Sequence, residues 1–110
     1  MLTLILKGKW YDMIVSGEKL EEYREIKPYY TKRFQNVGLL HRNGKPSACS
    51  YANIIFRRGY AKDAPRARCI CWLRIGEGRE CWGAVPDKKY YVLTITMRKE
   101  LMPGDLPQRE

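Results

Sequence analysis

The residues best equipped for chemistry lie in one short string, Gly17-Glu18-Lys19-Leu20-Glu21-Glu22-Tyr23-Arg24-Glu25. With residues 20–26 extended, Leu20, Glu22, Arg24 and Ile26 share one side of a strand, and Glu21, Tyr23 and Glu25 share the other. A carboxylate and a guanidinium then stand together between apolar residues, with Lys19 at the strand entrance. Charges framed in this way are costly to bury unless they pair with each other or meet a ligand. A plain surface ion pair between Glu22 and Arg24 fits the pattern as well, and would contribute little.

A second set follows further along. Arg57 and Arg58 sit beside Gly59 and Tyr60, a cation-rich turn with an aromatic ring next to it, suited to phosphate contact plus base stacking. The turn opens the densest basic segment, in which Arg57, Arg58, Lys62, Arg66, Arg68 and Arg74 face Asp63 alone. The same run also reads as a solvated face that keeps the protein soluble. Metal chemistry finds no support: Cys49, Cys69, Cys71 and Cys81 make no CxxC, and His41 is the only histidine.

The whole chain shares the basic bias. Its 110 residues carry 21 Lys and Arg against 12 Asp and Glu, a net charge of +9, which favours polyanionic partners. Residues 1–50 and 51–110 both hold the excess, so the folded surface must display it. No apolar run approaches the roughly 20 residues a membrane span needs. The first ten residues lack the basic start and long apolar stretch of a signal peptide, so the cysteines are expected as reduced thiols of a cytoplasmic protein. The length suits one domain, taken as residues 1–102, with a polar tail at 103–110.

The elements that must position these groups are legible from periodicity. Residues 2–7 read as a buried strand. Trp10, Met13, Ile14 and Gly17 fall at helical spacing, which predicts a helix over 9–16 with Gly17 as its C-terminal cap. Residues 20–26, bounded by Gly17 and Pro28, read as a strand, and a second helix starts at Pro28 with Tyr30, Phe34 and Val37 on one face. Asn43-Gly44 and Pro46 mark residues 38–50 as loop or hairpin turn. Three strands follow. Ala52, Ile54 and Phe56 alternate inward in 51–58; Ala67, Cys69, Cys71, Leu73 and Ile75 in 66–75; Tyr91, Leu93, Ile95 and Met97 in 89–97. The expected fold is α+β: a small, mostly antiparallel β-barrel with two short helices near the N-terminus.

The order Lys7, Trp10 with Met13-Ile14, Ser16-Gly17-Glu18-Lys19, then Glu22-x-Arg24 resembles the ASCH domain (activating signal cointegrator homology), a family of the PUA-like superfamily of small β-barrels. Its Gly-x-Lys-x-x-Glu-x-Arg string is matched by Gly17, Lys19, Glu22 and Arg24, and the turn at residues 56–60 is similar to one in small bacterial and phage members. The resemblance spans roughly residues 1–100, without a counterpart for 38–50. It implies a cleft between the first helix and the barrel, lined by Lys19, Glu22 and Arg24, that binds RNA. Lys19 then supplies a point charge for phosphate, and Arg24 a planar fork for phosphate or a base edge. Glu22 holds Arg24 or accepts from an exocyclic amine, and Lys7 ends the first strand nearby.

Some similar proteins hydrolyse an acetylated cytidine nucleoside with a Lys, a Thr and a Glu. Their Lys matches Lys19, but their Thr falls on Glu22, which has no hydroxyl nucleophile, and Glu77 corresponds to their Glu by position only. Glu22 beside Lys19 remains a general base for water, and ribonuclease activity is a related alternative, with His41 a lone base lacking an orienting partner. The leading expectation is an RNA- or nucleotide-binding module, DNA being a further polymer, working without cofactor as a monomer or weak dimer. A protein-interaction module is the third reading, should Trp72, Trp82 and Tyr90 form an exposed patch.

Overall fold

The computed structural model describes residues 1–102, so the tail expected at 103–110 lies outside the described residues. Its elements run β1 (Leu2–Leu6), α1 (Gly8–Ser16), β2 (Glu21–Arg24), α2 (Pro28–Asn36), β3 (Ala52–Arg58), β4 (Arg66–Glu77), a 3-10 turn at Glu80–Trp82 and β5 (Lys89–Leu101). Each sequence-predicted element is present. Helix α1 stops where predicted: Gly17 takes a left-handed φ of 87° and its N–H returns to the Ile14 carbonyl. Pro28 stands in the first turn of α2, where its missing N–H costs nothing.

The five strands form one sheet in the order β1-β3-β4-β5-β2. Three pairings are antiparallel, whereas β1 runs parallel to β3 because the chain crosses over through α1, β2 and α2 before returning. The sheet is a curled half-barrel, which differs from the closed barrel suggested by strand count. Its two edges, β1 and the four-residue β2, share no ladder among the described residues.

The concave face and both helices enclose the core. Leu4, Ile14, Phe34, Ile54, Phe56, Leu73 and Leu93 meet there with Cys69 and Cys71, which are small buried fillers as their alternation predicts. Residues 38–50 are more than a connector: Leu39 and Leu40 are buried, Leu40 bridges to Pro46, and Asn43-Gly44 makes the tight turn.

One alternation breaks. The register slips between Ile70 and Cys71, so Cys71 faces Ile95 while Ile70 faces Met97. This bulge leaves Thr96 unpaired, its hydroxyl donating to the Ile70 carbonyl, and carries Met97 out to the convex face, where it is exposed. The inward Met97 of strict alternation is therefore corrected, because an inserted residue reverses the phase of everything after it.

Candidate functional site

The Gly17 turn delivers Lys19 inward. Its backbone N–H is held by the Met13 carbonyl at 2.9 Å, and its side chain ends fully buried under the rings of Trp10 and Tyr23, at 5.5 and 5.0 Å. There the ammonium donates to Glu22 Oε1 at 2.8 Å and to the Glu21 carbonyl. Burial pushes the Lys19 amine below its usual range, an effect that Glu22 partly offsets.

Strand β2 then does what its alternation demands. Glu22 and Arg24 turn to the concave face opposite Leu93 and Tyr91, while Glu21 and Tyr23 turn outward, where Glu21 bonds to Tyr23 and Arg74. Arg24 donates through Nε and Nη2 to Glu22 Oε2, at 3.1 and 2.8 Å. The same Nη2 reaches the Ile5 carbonyl of β1 at 3.0 Å, and Nη1 reaches the Tyr30 hydroxyl of α2 at 3.1 Å. Arg24 thus ties the two open edges of the half-barrel together through its side chain, in place of the ladder that would close a barrel. One Nη1 hydrogen has no partner among the described residues, counting the guanidinium's five N–H groups.

Lys19, Glu22 and Arg24 are therefore one cluster, as their spacing anticipates, with Glu22 holding Arg24. Lys19 is walled in and reaches a ligand only through its neighbours. Tyr30 and the Ile5 carbonyl escaped sequence reasoning. Tyr30, on the inward face of α2 six residues after Arg24, left a faint signal, and a backbone carbonyl leaves none.

Beyond Arg24 lies a hollow of about 150 Å³, walled by Ile5 of β1, Arg24, Tyr29, Tyr30, Arg33 and Tyr60. A neighbouring hollow of about 350 Å³ shares Ile5 and Tyr60 and adds Lys7 and Gly59. Together they make a groove along the β1 edge. Tyr60 is 83% exposed over it, Tyr29 is exposed, and the Arg33 guanidinium lies 3.5 Å from the Tyr29 ring centre.

The two arginines of the turn separate. Arg58 forms a two-pronged pair with Asp12 at 3.0 Å, tying β3 to α1 and holding the Asp12 carboxyl below its usual range. Arg57 points to the convex face and bonds the Tyr60 and Ala61 carbonyls, at 3.2 and 2.6 Å, which shapes the turn that presents Tyr60.

Other sequence candidates stand apart. His41 is exposed in the hairpin of residues 38–50, and Glu77 lies exposed at the end of β4. A shallow hollow of about 740 Å³ lies between α2 and Leu40 with Arg42, and holds none of the predicted site residues. Tyr90 is buried, so Trp72, Trp82 and Tyr90 do not form one exposed patch. No cluster of three His, Cys, Asp or Glu suited to a metal occurs among the described residues, and no helix there is long and apolar enough to cross a membrane. Comparison with protein-family models, curated proteins and solved structures returned no match.

Proposed function

We propose that this protein binds RNA or a nucleotide in the groove along the β1 edge, with the Lys19–Glu22–Arg24 cluster fixing Arg24 at its wall. The supporting observation is the juxtaposition there of cations with accessible tyrosine rings. Lys7 and Arg33 meet phosphate, Tyr60 offers a face for a base, and the remaining N–H of Arg24 adds a donor. Lys19 acts behind Arg24. The resemblance to the ASCH family belongs to this proposal, supported by the contact that the Lys, Glu and Arg of its string make here.

Glu22 as a general base would have to meet water, yet both its oxygens accept from Lys19 or Arg24. Binding is therefore the first function to test. Labelled RNA 10-mers and free nucleotides are titrated by fluorescence anisotropy at two salt concentrations. Loss of one stacked base is worth roughly 1–3 kcal/mol, so Tyr60→Ala should weaken RNA binding between about 5- and 150-fold. Wild-type affinity in that variant for both ligand types would refute the groove.

A further inference from the structure

The convex face of the sheet carries a feature that the groove does not explain. Cross-strand register sets Arg57 of β3 opposite Arg66 of β4, and Arg68 of β4 opposite Lys99 of β5. Arg57, Arg66 and Arg68 lie on the outward side, since their strand neighbours Phe56, Ala67 and Cys69 are buried in the core, and Lys99 shares that side as the partner of Arg68. Directly opposed side chains in an antiparallel pair stand about 5 Å apart at Cβ, and like charges so placed destabilise the sheet. None of the four has an ion-pair partner among the described residues. Two adjacent rows of cations therefore face each other without a carboxylate partner among the described residues, Arg57 alone being held by the Tyr60 and Ala61 carbonyls.

The next rows change character. Asn53, Ile70 and Met97 align beyond the cations, with a hollow of about 180 Å³ between Arg68, Ile70, Met97 and Lys99. Beyond them Tyr51 and Trp72 are exposed and in contact, with ring centres 5.7 Å apart. The bulge at Thr96 is what brings Met97 to this face. Arg66 to Trp72 spans six residue steps along β4, about 20 Å at the usual strand rise, running from charge to aromatic surface.

We infer that this face is a second nucleic-acid surface, which takes a single strand. Its phosphates lie over Arg66, Arg68 and Lys99, and its bases over Ile70, Met97 and the Tyr51–Trp72 pair. A duplex hides its base faces and has no use for the apolar rows, whereas an unpaired strand uses both halves. The inference shares the nucleic-acid reading of the groove but rests on different residues, so the two fail separately.

The test titrates a fluorescein-labelled 12-nucleotide RNA, the DNA of the same sequence and an RNA duplex, at 50 and 200 mM NaCl. The Arg68→Gln/Lys99→Gln protein is compared with wild type and with Tyr60→Ala. The surface change relieves a repulsion, so a raised melting temperature in the double variant certifies its fold. Removing two phosphate contacts should weaken single-strand binding at least tenfold at low salt. It should also flatten the slope of log affinity against log salt by about 1.4, at roughly 0.7 per single-strand phosphate. Tyr60→Ala should leave that slope unchanged. Trp72 fluorescence should be quenched by the single strands, and RNA against DNA shows whether the 2′-hydroxyl is read. Wild-type affinity and slope in the double variant would overturn the inference, even if Tyr60→Ala binds weakly. A duplex bound as tightly as the single strand would overturn it too.

Discussion

Glu22→Gln probes the buried cluster most directly. Lys19 is wholly buried, and the side chains of Glu22 and Arg24 are only 9% and 14% exposed. With Lys19 protonated the cluster carries a net charge of +1, two cations around one carboxylate. Glutamine raises this to +2 and turns an amide N–H₂ toward one of the two donors. Removing one partner of a buried pair costs about 3–5 kcal/mol. The slight exposure of Arg24 favours the lower end, about 3 kcal/mol, against a total near 5–15 kcal/mol for a domain. At about 4–8 °C per kcal/mol for a domain of roughly this size, the melting temperature should fall by more than about 10 °C. Lys19→Met lowers the cluster's charge to zero and keeps the Glu22–Arg24 pair, so it should cost distinctly less. Circular-dichroism melts of both variants give the order. A Glu22→Gln melt within about 2 °C of wild type, or Lys19→Met as the more damaging change, would refute the reasoning.

Two further perturbations follow from other corners of the core. The Tyr11 hydroxyl is buried without a partner among the described residues, so Tyr11→Phe should stabilise by about 1–3 kcal/mol, read as a higher urea midpoint. Burial, helped by Glu100, pushes the Tyr11 phenol up to about 12 from the usual 10.0. The folded chain therefore keeps a proton that the unfolded chain loses between those values, because burial penalises the phenolate, and stability falls as pH rises from about 10 through 12. Wild type should lose stability over that window more steeply than Tyr11→Phe, and parallel curves would contradict the assignment. At Gly78 an added Cβ would sit 2.5 Å from the Tyr23 ring and 2.8 Å from the Ala84 Cβ, so Gly78→Ala should destabilise by about 1–3 kcal/mol, and an unchanged melt would show that the loop yields.

Local pattern alone determined much of this molecule. Helical spacing and a left-handed glycine end α1 at Gly17, a period of two turns Glu22 and Arg24 to the same side, and alternation buries Cys69 and Cys71. Each of these depends on neighbours within a few residues, where side-chain direction follows from backbone period. Tertiary structure decided the rest. Arg24 closes on a carbonyl nineteen residues earlier, Lys19 is sealed by rings from α1 and β2, and Tyr60 meets Lys7 and Arg24 across a groove. The bulge at Thr96 reverses the phase of β5, and register sets Arg57 against Arg66 and Arg68 against Lys99. Register is a relation between strands far apart in sequence, fixed by which apolar faces must meet in the core, and a slip of one residue turns a whole strand over.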